Sequence, residues 1–224
     1  MLSILLRADD VLRRRSWTTQ SLDARAALAW LIATIIVFGL IYGSVMGSFS
    51  GFSSQGLLQA LYSAIKVPLL LLGSFAISLP SFFVVNTLLG LRNDFSQAVR
   101  ALLATQGGLA IILASLAPFT ALWYASSDGY SAAVTFNGVM FAIASFSSQW
   151  LLRGYYRPLV ARNPRHQWLL RVWIVIYAFV AIQMAWLLRP FIGDPASAVQ
   201  FFREDIRSAD AYVTVFRLIW KLVN

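Results

Sequence analysis

The side chains best equipped for chemistry in this chain are few, and they sit in apolar surroundings. Lys66 and Arg189 flank long hydrophobic runs, while the amides Asn86, Gln106, Asn137, Gln149 and Gln183 fall inside such runs. A cation at a membrane edge can snorkel to head groups or hold a lipid phosphate through charge-assisted hydrogen bonds. Lys66 is expected to snorkel, because at the bilayer centre it would cost at least about 2.5 kcal/mol. Arg189 is expected to do likewise, to bind a lipid phosphate, or to pair with Asp194. Each amide is expected to face another helix. Such bonds are worth about 0.6 kcal/mol on average, so they specify packing more than they stabilise it. A polar permeation path is the sharper alternative.

Absences narrow the chemistry further. No Asp or Glu falls within the apolar runs, so no carboxylate proton relay or cation site is apparent. The single histidine, His166, stands in Asn163-Pro-Arg-His166 and is expected at the surface rather than on a metal. Cys is absent, which excludes disulfides, thiolate catalysis and Cys-based metal sites. There is no Ser/His/Asp set at membrane depth and no phosphate-cradling glycine loop. The chain is therefore expected to be no enzyme and to use no cofactor.

Two features shape backbone rather than chemistry. Gly39, Gly43 and Gly47 recur at i, i+4 and i+8, which lines one helix face with glycine and lets another backbone approach closely. That face predicts packing inside the same bundle or, more sharply, an oligomer seam. Pro68 and Pro80 fall near the start and in the middle of one span. Pro80 removes a backbone hydrogen bond and predicts a kink, with Ser78 and Ser81 available to the freed carbonyl.

The elements that carry these residues follow from hydropathy. The chain has 224 residues, of which 59% are hydrophobic and 12% charged, against about 25% charged in soluble domains. Apolar runs at about 26–46, 67–89, 98–122, 131–152 and 169–188 predict five transmembrane helices. A helix satisfies its own backbone in lipid, and about twenty residues cross the hydrocarbon core. The fold expected is all-α: a polytopic membrane helical bundle flanked by amphipathic helices. Residues 1–25 form an N-terminal segment, 26–188 the transmembrane domain and 189–224 a tail. The opening Met1–Arg7 is too short and too soon charged for a signal peptide, and the first span is expected to act as an uncleaved anchor.

In the N-terminal segment Met1, Leu5, Ala8 and Leu12 share one helical face, opposite Ser3, Arg7, Asp10 and Arg14. In the tail Tyr212, Phe216, Ile219 and Val223 oppose Asp210, Thr214, Arg217, Lys221 and Asn224. Both read as helices lying in a membrane surface or on a partner, and Gly51 to Lys66 is a candidate third. Asp94-x-x-Gln97 reads as a capping box.

Net charge is +9 with 18 basic residues. Arg7, Arg13, Arg14, Arg15 and Arg25 precede the first span, and Arg153, Arg157, Arg162, Arg165 and Arg171 crowd one loop. This distribution fits topology and attraction to anionic lipid head groups rather than nucleic acid. The positive-inside rule predicts a cytoplasmic N-terminus and an outward C-terminus. Location in a bacterial inner membrane is the accompanying expectation.

The layout resembles the Yip1-domain family. The segment Leu88-Leu-Gly-Leu-Arg-Asn-Asp-Phe-Ser-Gln-Ala-Val-Arg-Ala-Leu102 is similar to that family's short turn and helix start. The basic 153–171 loop and 188–193 depart from it. The resemblance implies five spans; the trafficking role of eukaryotic members does not follow. Three roles fit the residues: a non-catalytic scaffold or accessory subunit in a homo- or hetero-oligomer, an oligomeric channel or transporter, and a lipid-handling protein.

Overall fold

The computed structural model describes residues 2–15, 18, 23–51, 53–127, 129–193 and 199–202. Among them it is helical, with no strand. The helices are α1 (Leu2–Leu12), α2 (Ala24–Gly47), α3 (Ser54–Leu88), α4 (Phe95–Ser126), α5 (Tyr130–Arg162) and α6 (Arg165–Leu187). All but α1 are long and apolar enough to cross a membrane. The chain is a multi-pass membrane protein. The tail helix expected over 210–224 lies outside the described residues.

Small residues decide which helix is central. The buried residues of α4 include Ala98, Ala101, Ala104, Gly107, Gly108 and Ala110, so neighbours approach it from several sides. By contrast α6 buries only His166, Leu169 and Trp173, all in its first half, and packs mainly on α3. There Trp173 meets Phe75 and Phe82 edge-on, at ring-centroid distances of 5.7 and 5.1 Å.

The glycine row closes α2 against α3 of the same chain. A Cβ on Gly39 would lie 3.2 Å from the Pro68 ring, one on Gly43 2.7 Å from Ala64 Cα, and one on Gly47 2.6 Å from Ala60 Cα. As the α2 number rises the α3 number falls, so the helices are antiparallel. Pro68 is thus a packing partner of Gly39, and this face is occupied within the chain. Pro80 also lies inside α3 without ending it. Ser78 does not serve the carbonyl that Pro80 frees: its hydroxyl donates to Ser74 O at 2.7 Å.

Several boundaries differ from expectation. The segment 54–66 is no separate interfacial helix but the first part of α3. Most of the basic 153–171 loop is helix as well, since α5 runs to Arg162 and α6 starts at Arg165. Arginine is a good helix former, and α5 continues through Pro158 to end at Asn163-Pro164. Asp94 makes no side-chain cap to α4. In α1 the buried residues are Ala8 and Val11, with Ile4 packed beside them, while Leu5 and Leu12 are exposed. This helix lies on α4 and α2, and Tyr155 of α5 donates its hydroxyl to Val11 O.

The helices define two ends. One carries Asp94, Arg162 and His166 and is called here the basic end. The other carries Gly47, the start of α3 and Pro190.

Candidate functional site: a cavity beneath a polar strap

At the Pro190 end the chain leaves α6 and crosses back over the first half of α3. Gln59, Ser63 and Lys66 of α3 stand at i, i+4 and i+7, on one face, and all are fully buried. They hold the crossing segment by its backbone carbonyls. Lys66 Nζ donates to Pro190 O at 2.7 Å, Gln59 Nε2 to Phe191 O at 3.2 Å, and Ser63 Oγ also to Phe191 O. From the preceding turn Ser50 Oγ donates to Gly193 O at 3.0 Å. Close approach requires a glycine at 193, where a Cβ would lie 2.6 Å from Ser50 Oγ and 2.7 Å from Gln59 Cγ. Residues 189–193 therefore form a strap fastened by side chains to carbonyls, a use of the backbone groups that an irregular segment must satisfy.

Lys66 consequently does not snorkel. Its ammonium turns into the protein, to a carbonyl and to the Phe201 ring, 4.9 Å away. No described residue forms a salt bridge with it. The remaining cation, Arg189, bonds Trp186 O through Nε at 3.3 Å and lies 3.2 Å above the Trp186 ring centre. Its expected partner Asp194 is outside the described residues.

Under the strap lies a partly open cavity of roughly 370 Å³. Its floor and walls come from α2 (Met46), α3 (Leu70), α5 (Tyr130, Val134, Asn137, Gly138, Phe141) and α6 (Ala185). Arg189, Pro190, Phe191 and Ile192 cover it. Such a volume falls within the about 300–1,000 Å³ of ligand sites. The lining is apolar except for Tyr130, Asn137 and Arg189, and a Cβ on Gly138 would meet nothing within 4 Å. The space persists because α5 packs on α4 and α6 on α3, while α5 and α6 touch only sparsely.

Asn137 is held in place by a three-helix knot. Its Oδ1 accepts from Tyr42 Oη at 3.0 Å, and its Nδ2 donates to Tyr124 Oη at 2.6 Å and to Ala133 O at 2.8 Å. Tyr124 then donates to Met46 O at 3.1 Å. The other amides scatter. Gln106 accepts from Tyr177 at 2.9 Å, linking α4 to α6. Asn86 is fully buried with no partner among the described residues. Gln149 is half-buried, and Gln183 is exposed rather than facing another helix.

At the basic end His166 is not at the surface: it is fully buried, with Nε2 3.1 Å from Asp94 Oδ2. Arg162 Nη1 donates to Gln97 Oε1 at 3.0 Å and sits 3.5 Å from Asp94 Oδ1. The two residues of the expected capping box thus bind the α5–α6 turn instead.

Sequence reasoning missed the strap and its fasteners Gln59 and Ser63, and the tyrosines around Asn137. The signal available was the i, i+4, i+7 spacing of Gln59, Ser63 and Lys66, a polar stripe continuous with an apolar helix. No family model, curated protein or solved structure matches the chain.

Proposed function

We propose that this chain is a non-catalytic, lipid-handling membrane protein that takes an anionic lipid from the bilayer into the cavity beneath the 189–193 strap. The observation that carries the reading is Arg189 as the charged lining residue of a mostly apolar, partly open cavity between two helices that barely touch. Acyl chain would occupy the surface formed by Leu70, Val134 and Phe141, and a guanidinium suits the phosphate. Asn137 adds a fixed dipole, but its amide is engaged by Tyr42, Tyr124 and Ala133, which favours a wall over a conduction path. The glycine row, the strongest sequence motive for an oligomeric scaffold, is covered by α3 of the same chain.

The test is native mass spectrometry of the chain extracted in mild detergent. A phospholipid should travel with it, be lost about tenfold in Arg189→Gln, and be excluded by Gly138→Leu, whose side chain enters open space. A tenfold loss corresponds to about 1.4 kcal/mol. Lipid retained equally in wild type and both variants, or absent from all three, would reject the proposal.

A further inference from the structure

The groove between α5 and α6 reopens at the basic end, with a volume of roughly 620 Å³. Here its charged residues are Arg153 and Arg157 on α5 and Arg171 on α6. Arg153 and Arg157 are one turn apart on one face, a like-charge i, i+4 pair that is unfavourable without an anion. From the other side of α5 comes Arg14, held at φ 56°, with its Cζ 2.8 Å from where a Cβ on Gly154 would be. No carboxylate among the described residues answers this charge. The described carboxylates are all engaged elsewhere: Asp9 with Arg13 at 2.8 Å, Asp10 with Arg15 at 3.8 Å, Asp23 with the α2 N-terminus at 3.1 Å, and Asp94 with Arg162 and His166. Arg153 and Arg157 form no ion pair among the described residues, and Arg171 has an aromatic contact, 5.1 Å from the Trp168 ring centre.

A second, independent observation marks the same groove. Tyr156, which contributes to its wall, is fully buried, and its hydroxyl has no hydrogen-bond partner among the described residues. A buried donor left unmade is costly and suits an acceptor that arrives with a ligand. The rest of the wall is Val160, Ala161, Leu170 and Ile174, all apolar, with the amide of Gln167 among them. Guanidinium groups match phosphate oxygens in bidentate geometry, and an apolar wall beside them matches a glyceride rather than a hydrated ion.

We infer that the basic end of the α5–α6 groove is a binding site for the phosphate of an anionic lipid, held by Arg153, Arg157 and Arg171, with Tyr156 as a neutral donor. Basic pockets between transmembrane helices suit such head groups. The site shares no residue with the cavity under the strap, so either proposal can fail alone.

The full chain in mild detergent is titrated, with native mass spectrometry as readout, using a phosphomonoester lipid and a phosphocholine lipid of the same acyl chains. Inorganic phosphate serves as competitor. The phosphomonoester lipid should bind about tenfold tighter than the zwitterion. In a Gly138→Leu background, which fills the cavity under the strap, that preference should vanish on Arg153→Gln/Arg157→Gln and survive on Arg189→Gln. The double lysine variant should recover only part of it, because lysine keeps the charge but not the fork. Arg157→Gln alone, at an exposed position, should show a smaller loss and guards against a folding defect in the double variant. Equal binding of both lipids, or an unchanged preference in the glutamine variants, would overturn the assignment. Displacement of the lipid by millimolar inorganic phosphate would overturn the lipid source and leave a site for free phosphate.

Discussion

The α2–α3 and α5–α6 contacts are both between antiparallel neighbours in the chain, joined by short turns, yet they are built oppositely. Along α2–α3, Gly39, Gly43 and Gly47 meet Pro68, Ala64 and Ala60, so the seam is closed backbone to backbone. Along α5–α6 the helices hardly touch, and open grooves occupy both ends. In lipid no hydrophobic force drives helices together, because acyl chains are as apolar as leucine. Helices close only where small side chains let many dispersion contacts form, as in α2–α3. Where large side chains such as Phe141 and Tyr156 line the contact, space remains that acyl chain can fill as well as protein.

The sharpest way to break this contrast is to make the closed seam resemble the open one. A Cβ at Gly43 falls 2.7 Å from Ala64 Cα and closer still to Ser63 O, both backbone atoms that cannot swing aside. Gly43→Leu should therefore destabilise the bundle by about 3 kcal/mol or more, the upper range for overpacking. Gly39→Ala, 3.2 Å from the Pro68 ring, should cost markedly less. Thermal unfolding in detergent, followed by circular dichroism, reads both. Equal stability of Gly43→Leu and the native chain would mean that α2 and α3 do not meet along this row.

The same contrast shows which parts of the fold were legible in the sequence. Five apolar runs give five helices, because run length against bilayer thickness is a local property. The glycine spacing is local too, although the sequence leaves open whether the opposing helix is this chain's or another's. The strap was hidden. The sequence places Lys66 at the edge of a span because a charge is costly in lipid, whereas the carbonyl of Pro190, 124 residues away in sequence, and the Phe201 ring receive it inside the protein. His166 stands in a basic stretch and so reads as a surface residue; its partner Asp94, 72 residues away in sequence, is invisible to local pattern. The amides were visible as candidates, but Asn137 became a knot and Gln183 an exposed residue through long-range packing, which periodicity does not encode.

A second prediction concerns the strap, which partly covers the open side. Replacing Lys66 by Met keeps an unbranched side chain one atom shorter and removes the charge-assisted bond to Pro190 O. Such bonds contribute about 1.5–3 kcal/mol, but here loss of the buried charge offsets part of that. The expected result is a bundle of near-native stability with a loosened strap. The chain has no cysteine, so a single Ile192→Cys probe, buried in the native strap, can be followed without background. Its thiol should react at least several-fold faster with a membrane-impermeant maleimide in the Lys66→Met background. An unchanged rate would show that Gln59, Ser63 and Ser50 hold the strap unaided.

The smallest effect is expected at Asn137, which belongs to the cavity wall and to the packed core at once. Asn137→Leu removes the acceptor for Tyr42 and a donor to Tyr124, leaving the buried Tyr42 hydroxyl to find another partner. Tyr124 retains its own bond to Met46 O. Interhelical bonds in membrane proteins average about 0.6 kcal/mol and reach about 1.7 at most, so a cost of about 1 kcal/mol is expected, well below that of Gly43→Leu. A double-mutant cycle with Tyr42→Phe isolates the pair, and a coupling of about 0.6 kcal/mol would match a bond of ordinary strength. If the coupling vanishes while Asn137→Leu still displaces the lipid, the amide faces the cavity more than it ties the helices. The open groove would then extend further into the bundle, toward the closed seam of α2 and α3.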